Sequence, residues 1–219
     1  MTRSCFRSRE EKAEVFASAD IYPVISSEFC LDRPPFEVFR AAAEGGAKLI
    51  QLREKHWAKK ALYELAVACR PIANEYGILL IINDHVDVAL AADADGVHLG
   101  QDDLPVPAAR SLSETLWIGN STHNLAEALR AQEEGADCIN IGPLFPTQTK
   151  EVGYDPLGIE LMRTVAAEIE LPFTVMGGIK AHHIPELVKA GARRIAMVTE
   201  ITRSPDVAAK VRELRMLFR

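Results

Sequence analysis

The stretch Ile81–Asp103, IINDHVDVALAADADGVHLGQDD, decides the fold. It contains an apolar run that ends in Asn83-Asp84, a helix-like segment, and a second apolar run, Gly96–Leu99, that ends in polar residues. A strand, a helix and a strand within so short a stretch predict a βαβ unit, in which the two strands run parallel. Because parallel strands end at the same edge of a sheet, we expect Asp84 and Asp103 to lie side by side.

Two carboxylates that converge in this way indicate a bound cation or a shared proton, since like charges raise each other's pKa. Mg²⁺ typically takes one or two protein carboxylates and completes its shell with water and substrate phosphates. The alternative is that Asp84 and Asp103 cap the helices that follow their strands. On this stretch alone, both interpretations stay open.

The alternation of apolar runs and amphipathic stretches continues along most of the chain. Strands are predicted at Ile21–Ser26, Lys48–Gln51, Ile78–Ile82, Gly96–Leu99, Leu116–Gly119, Cys138–Ile141, Phe173–Met176 and Arg194–Val198. Helices are predicted at about 35–44, 57–76, 85–92, 105–112, 124–134, 158–169, 181–190 and 206–217. Strict alternation of eight strands with eight helices favours a single (β/α)8 TIM barrel, an α/β fold. An open doubly wound sheet would carry a glycine-rich turn after the first strand, and residues 22–27 contain no glycine.

Composition bounds the class of protein. A chain of 219 residues with 26% charged residues fits one globular domain, predicted as a loose N-terminal extension at 1–17 and a barrel domain at 18–219. A net charge of −6 argues against nucleic acid as the main partner. Four cysteines without a CxxC pair predict free thiols and no zinc site. With no apolar run of membrane-spanning length and no secretory signal, we expect a cytoplasmic protein without a membrane partner.

Cationic side chains follow the second predicted strand. Alternation along an extended chain places Gln51, Arg53 and Lys55 on one side and Leu52 and Glu54 on the other. Two cations and an amide at the mouth of a barrel suit a polyphosphate, because Arg binds phosphate with two parallel hydrogen bonds and Lys acts as a point charge. A solvated charged loop is the alternative.

Hydroxyl groups follow the fifth and sixth predicted strands. Ser121 and Thr122 can cap the next helix or bind a ligand, and His123 is a candidate acid–base group that could equally serve in packing or capping. The loop after the sixth strand contains two prolines, which restrict its backbone. Its donor-rich residues are Thr147, Thr149 and Lys150.

The last two loops resemble a phosphate site. Gly177-Gly178 allows close backbone approach, and Val198-Thr199-Glu200 follows the eighth strand. In barrels, the loops after strands seven and eight frequently bind phosphate through backbone N–H groups. Together with the carboxylates and the cations, these donors indicate two phosphorylated ligands, one of them a metal-bound diphosphate.

From about Tyr22 to the C-terminus, the chain resembles the thiamine-phosphate synthase family. The segments that carry the resemblance are QLREK, INDHVDVAL, ADGVHLGQDDLP, GNSTHN, IGPLFPTQTK and GGI. The family is a (β/α)8 barrel that joins hydroxymethylpyrimidine diphosphate to thiazole phosphate, giving thiamine phosphate and pyrophosphate. The resemblance therefore implies a Mg²⁺-dependent transferase of thiamine biosynthesis, for which a homodimer is one expected arrangement.

The resemblance also implies a role for particular residues. Those expected to bind the pyrimidine diphosphate are Gln51, Arg53, Lys55, Asn83, Ser121 and Lys150, of which Arg53, Lys55, Ser121 and Lys150 are the expected catalytic residues. Asp84 and Asp103 are the expected Mg²⁺ ligands. Those expected around the thiazole phosphate are Thr147, Thr149, Gly178, Val198 and Thr199.

The chain departs from the family pattern at two places. Asn120 stands where a small apolar residue is more usual, and Thr199-Glu200 replaces a more typical Ser-Ala, which puts a carboxylate near a phosphate site. Two rival functions are a thiazole tautomerase-like relative that uses His123 and a non-catalytic barrel that binds thiamine phosphates. Neither needs the Asp84 and Asp103 pair, so the synthase is favoured.

Overall fold

Eight parallel strands pair in chain order and close into a barrel. The computed structural model describes residues 2–147 and 156–219. The strands are β1 (Ile21–Ile25), β2 (Leu49–Leu52), β3 (Leu79–Asn83), β4 (Gly96–Leu99), β5 (Trp117–Thr122), β6 (Cys138–Ile141), β7 (Phe173–Val175) and β8 (Ile195–Met197). β8 pairs with β1, so the predicted single (β/α)8 barrel is confirmed.

Helices alternate with the strands along the chain. They are α1 (Arg9–Ser18), α2 (Pro35–Glu44), α3 (Lys59–Tyr76), α4 (Val86–Ala91), α5 (Val106–Leu112), α6 (Leu125–Glu133), α7 (Gly158–Glu168), α8 (Ile184–Lys189), α9 (Thr199–Thr202) and α10 (Val207–Met216). Short 3-10 turns lie at Ser27–Phe29 and Ala181–His183.

Three glycines end helices in the left-handed conformation, which a β-carbon disfavours. They are Gly46, Gly135 and Gly191, with φ of 93°, 84° and 106°.

Strand β5 is longer than the sequence predicted. It continues to Thr122, because Ser121 pairs with Asn140 and Thr122 with Ile141 on β6. The cap of α6 is instead Asn124, whose Oδ1 accepts the backbone N–H of Glu127 at 2.9 Å. The capping role considered for Ser121 and Thr122 is therefore wrong, and Ser121 belongs to the strand itself.

Alternation along the strands separates two layers of side chains. One set, which includes Ile50 and Leu52, packs with the helices in the large outer core. The other set faces the barrel interior, where apolar residues such as Leu49 and Ile81 fill the lower half. Polar residues occupy the upper half because the strands end there and the chain must meet solvent and ligand.

The N-terminal segment closes the lower end of the barrel. Helix α1 begins with a capping box between Ser8 and Glu11, and Phe16 enters the inner cluster with only 1% of its surface exposed. The ring of Phe16 lies 5.1 Å from that of Trp117, and the guanidinium of Arg194 lies 4.6 Å from the Phe16 ring. The expectation of a loose extension is therefore wrong, since the bottom of the barrel presents an apolar opening that this helix covers.

A buried ion pair joins the N-terminal segment to the barrel wall. Arg70 on α3 donates from Nη1 to Asp95 Oδ2 at 2.6 Å, and both side chains are almost fully buried. Asp95 also accepts the backbone N–H of Leu80 at 2.7 Å and the hydroxyl of Ser4. One carboxylate thus connects a helix, a strand and the N-terminal segment.

In the described part of the chain, no helix combines the length and apolar character required to cross a bilayer. The four cysteines are free thiols, as predicted. Burial raises the pKa of the Cys69 thiol to about 12, so this side chain behaves as a small apolar core residue rather than as a thiolate nucleophile.

Candidate active site

Asp84 and Asp103 lie next to each other at the C-terminal rim of the barrel. Register between β3 and β4 brings Asn83 opposite His98, and the Asp84 N–H donates to the His98 carbonyl at 2.8 Å. Asp103 is held by its own loop, since its Oδ2 accepts the Gly100 N–H at 2.6 Å. The pKa of Asp103 is raised, first by burial and then by the Asp84 carboxylate, with which it shares a hydrogen bond.

Neither carboxylate caps a helix. Helix α4 begins after His85 and helix α5 after Pro105, and neither helix has a side-chain cap. Asp84 adopts the left-handed region, with φ of 62°, a conformation that Asp tolerates better than most residues. The capping interpretation of Asp84 and Asp103 is therefore wrong, and the carboxylates are available for another role.

The chemistry of this donor set suits Mg²⁺. In residues 2–147 and 156–219, no group of three or more His, Cys, Asp or Glu side chains could hold a metal. A cation between Asp84 and Asp103 would thus take its other oxygens from water or from a ligand, as Mg²⁺ does in phosphate-handling sites. Lys55 already places one positive group here, because its Nζ forms an ion pair with Asp84 Oδ2.

The cationic row after β2 reaches this rim from the neighbouring strand. The side chain of Arg53 is half-buried, and its backbone N–H donates to the Ile25 carbonyl at 2.8 Å. Burial lowers the pKa of Arg53, and the negative charge of Asp84 opposes that shift. Glu54 turns away from the row and accepts the Ser27 N–H and hydroxyl, both at 2.7 Å. Both Arg53 and Lys55 thus act electrostatically on the carboxylates.

Gln51 lies one layer deeper in the barrel than Arg53. Only 2% of its surface is exposed, and its Nε2 donates to the Tyr22 hydroxyl at 2.8 Å. Asn83 is also buried, with 8% of its surface exposed, on the neighbouring strand β3. These amides form a polar floor beneath the rim.

Ser121 is held from two sides by residues that the sequence did not single out as site residues. Its hydroxyl lies 2.9 Å from His98 Nε2, and its carbonyl accepts Gln101 Nε2 at 2.6 Å. His98 could have been found from the sequence, because alternation along β4 points it into the barrel. Gln101 could not, since it lies in the loop after β4, where alternation along a strand no longer sets the direction of a side chain.

His123 is engaged with helix α6. Its Nδ1 lies 2.8 Å from Glu127 Oε2, and the same carboxylate oxygen accepts the His123 backbone N–H at 2.8 Å. This arrangement ties the imidazole to the first turn of the helix. It favours the packing and capping interpretation of His123 over the acid–base one.

The loops that follow β6 and β7, here called loops six and seven, pack tightly against each other. Gly178 has φ of 64°, and a β-carbon there would lie 2.3 Å from the Pro146 carbonyl oxygen. A backbone hydrogen bond also joins the two loops, since the Leu144 N–H donates to the Met176 carbonyl at 2.9 Å. Thr147 is half-buried at the end of this described loop, whereas Thr149 and Lys150 lie outside the described residues.

A short helix directly follows β8. The Val198 carbonyl accepts the N–H groups of Ile201 at 3.0 Å and Thr202 at 2.9 Å, so α9 begins at Thr199. The Glu200 carboxylate lies 3.4 Å from Lys180 Nζ, a partner that compensates its negative charge. The positions of Val198 and Thr199 match the loop-eight phosphate site found in many barrels.

Comparison with known proteins places the chain in a family. Residues 21–201 match the family model described as thiamine monophosphate synthase. The thiamine-phosphate synthase of Pelotomaculum thermopropionicum is 46% identical over 91% of this chain and 92% of its own length. That of Caldicellulosiruptor saccharolyticus is 42% identical over 94% of each chain.

A solved structure agrees with these relatives. Thiamine phosphate pyrophosphorylase from Pyrococcus furiosus superimposes with a TM-score of 0.85 at 34% identity, covering 92% of this chain and 96% of that one. The sequence match and the structural match thus extend over the whole barrel. The chain belongs to the thiamine monophosphate synthase family.

Proposed function

We propose that the protein joins hydroxymethylpyrimidine diphosphate to hydroxyethylthiazole phosphate, releasing thiamine phosphate and pyrophosphate, with Mg²⁺ held by Asp84 and Asp103. The observation that carries the proposal is the adjacency of these two carboxylates, flanked by Lys55 and Arg53, at the mouth of a barrel of this family. A metal-bound diphosphate needs this combination of oxygen ligands and cations.

Arg53 and Lys55 would stabilise the departing pyrophosphate. Bound Mg²⁺ would neutralise part of the diphosphate charge, which is the chemistry that this cation supplies in such sites. Lys55, which forms an ion pair with Asp84, would be near enough to this carboxylate to contact a phosphate oxygen of a diphosphate bound there. Lys150 is proposed for the same diphosphate on the basis of the sequence resemblance.

The reaction would proceed by dissociation. The bond between the pyrimidine methylene carbon and the diphosphate oxygen breaks, and its electron pair leaves with pyrophosphate. The resulting pyrimidine-methyl cation would lie over the polar floor made by Gln51 and Asn83, beside the Ser121 hydroxyl. The thiazole nitrogen then forms the new bond to the methylene carbon, so no side-chain nucleophile is required and positioning supplies much of the rate.

The thiazole phosphate would bind between loops six, seven and eight. Thr147, Gly178 and the start of α9 at Val198 and Thr199 would surround it, and Thr149 is assigned to the same site from the sequence. The ion pair between Glu200 and Lys180 supports this assignment, because it reduces the repulsion that a free carboxylate would exert on a phosphate.

The proposed substrates and metal can be tested directly. Purified protein supplied with both phosphorylated substrates and Mg²⁺ should release pyrophosphate and form thiamine phosphate, and removal of Mg²⁺ by a chelator should stop both. Binding of thiamine phosphate without turnover would favour a non-catalytic role. Isomerisation of a thiazole carboxylate phosphate would favour the tautomerase instead.

A cytoplasmic location and a homodimer complete the proposal. The four free thiols support a reducing compartment. The dimer is an expectation from the sequence resemblance, which sedimentation of the purified protein can check.

A further inference from the structure

The loop that carries Asp103 is tied to strand β5 by side chains. Backbone pairing of β4 with β5 stops at Leu99 opposite Asn120. Beyond that point, Gln101 Nε2 donates to the Ser121 carbonyl at 2.6 Å and to Asn120 Oδ1 at 3.3 Å. The Gln101 side chain therefore continues the connection to β5 by one residue past the end of β4.

Two further contacts complete this connection. Asn120 Nδ2 donates to the Leu99 carbonyl at 3.1 Å, and Asn120 is buried, with 8% of its surface exposed. On the other side, the guanidinium of Arg130 on α6 donates to Gln101 Oε1. The amide of Gln101 is thus used in both senses, as donor towards β5 and as acceptor from α6, which fixes the orientation of its side chain.

We propose that Gln101, anchored by Asn120 and Arg130, is a positioning residue that sets the Asp103 carboxylate relative to Ser121. This inference rests on the proposed function, since it assumes that Asp103 binds Mg²⁺ and that Ser121 faces the diphosphate substrate. Gln101 touches neither ligand. It acts on the turn Gly100–Asp103. Within that turn, the Gly100 N–H donates to Asp103 Oδ2 at 2.6 Å and the Asp103 N–H donates to the Gly100 carbonyl at 3.4 Å.

The physical reason is the geometry that Mg²⁺ demands. Mg²⁺ accepts only near-ideal octahedral coordination, so a small displacement of one carboxylate weakens binding. A polar side chain that orients a metal ligand from behind typically changes affinity by about 10-fold to 100-fold when it is removed. Asn120, which departs from the family pattern, gains a role here because its amide links Leu99 to Gln101.

The test is Gln101→Met, which keeps the length of the side chain and removes both of its hydrogen-bonding groups. Binding of the manganese–pyrophosphate complex, followed by electron paramagnetic resonance, should weaken by about 10-fold. The kcat should fall while the KM for the thiazole phosphate stays unchanged. The side chain is exposed, so the melting temperature without ligand should change by less than about 2 °C. Arg130→Met should also lower the affinity for the manganese–pyrophosphate complex.

Gln132→Met is the matched control. Gln132 also uses its amide to hold a loop, with Oε1 accepting the N–H groups of Glu170 at 2.7 Å and Leu171 at 3.3 Å, away from the carboxylates. Gln132→Met should bind the manganese–pyrophosphate complex as tightly as the wild type does. Equal binding by wild type and Gln101→Met, or equal weakening by both glutamine variants, would overturn the positioning role alone. No binding by the wild type would overturn the metal site and this inference together.

Discussion

Opposing electrostatic effects act on the pKa of the Asp103 carboxylate. Burial and the neighbouring Asp84 raise its pKa, while the positive charge of Lys55 lowers it. If Asp84 and Asp103 held a divalent cation, as proposed, its positive charge would relieve this repulsion. The proposal of a metal here is therefore supported by the residues around Asp103 and not by its identity alone.

Asp103→Ala should abolish Mg²⁺-dependent coupling. We expect kcat/KM to fall by about 100-fold or more, since stabilisation of charge by a metal is worth several kcal/mol. Asp102→Ala is the control, because Asp102 is the adjacent exposed carboxylate. Pyrophosphate release at varied Mg²⁺ concentration measures both. Similar activity of the two variants would contradict the assignment of Asp103.

His123→Ala should leave the coupling reaction largely intact. Its imidazole Nδ1 lies 2.8 Å from Glu127 Oε2 on α6, a contact that holds the ring against the helix. The rate should therefore change by less than about fivefold. General acid–base catalysis usually contributes at least about 100-fold, so a loss of that size would assign proton transfer to His123.

Helix α1 shows how one added element completes a barrel. Phe16 joins the inner cluster beneath Tyr22 and Trp117, whereas the substrate side of the barrel lies at the other end of the strands. Closure of the lower end and chemistry at the upper end are therefore separable. A substitution at the lower end does not directly touch the residues at the upper end.

Phe16→Ala should lower the free energy of unfolding by about 3–5 kcal/mol, the usual cost of a cavity left by a buried aromatic ring. Denaturant unfolding measures the change, and the KM values of the folded variant should stay close to those of the wild type. Val15→Ala, at the half-buried neighbouring position, is the control and should cost clearly less. Equal costs at both positions would show that Phe16 does not seal the barrel.

The ion pair of Arg70 and Asp95 connects three elements and should be more important than any surface pair. Asp95→Ala leaves Arg70 buried without its carboxylate, and we expect a loss of about 3–5 kcal/mol in the free energy of unfolding. Asp87→Ala breaks the exposed pair with Lys59, at 2.9 Å, and should cost less than about 1 kcal/mol. Comparable losses in the two unfolding curves would contradict this ranking.

At the scale of the whole molecule, the barrel concentrates charge that the composition conceals. The protein has a net charge of −6, yet Arg53 and Lys55 meet at the rim where a polyanion is proposed to bind. Strand order 1 to 8 without interruption brings these residues from β2 beside the carboxylates that follow β3 and β4. The rim therefore brings two cations together with two carboxylates, a mixed set of charges that the net charge does not reveal.

Binding at this rim should stabilise the whole fold. Mg²⁺ and pyrophosphate together, at about 100 times their dissociation constant, should add about 2.7 kcal/mol to the free energy of unfolding. For a chain of this size, the melting temperature should rise by about 5–10 °C. Either component alone should give a smaller shift in a thermal unfolding assay. An equal shift in Asp103→Ala would contradict a shared metal and diphosphate site.

Sequence patterns anticipated most of the fold because they report local physical preferences. The strand β3 and the helix α4 in the opening stretch were predicted within a few residues, since apolar alternation and helical periodicity act over a few positions. The N-terminal helix was missed for the same reason. It carries few apolar residues, and Phe16 acquires its role only when the lower end of the barrel exists to receive it.

The sequence by itself determined the closed barrel, the free cysteines and the strand ends at which Arg53, Asp84 and Asp103 appear. Only the tertiary structure decided that the two aspartates do not cap helices, that Ser121 lies within β5, and that Gln101 joins the loop carrying Asp103 to that strand. The reason is that periodicity encodes which face of an element is buried, whereas the partner of a polar side chain is set by distances between segments that are remote in the chain.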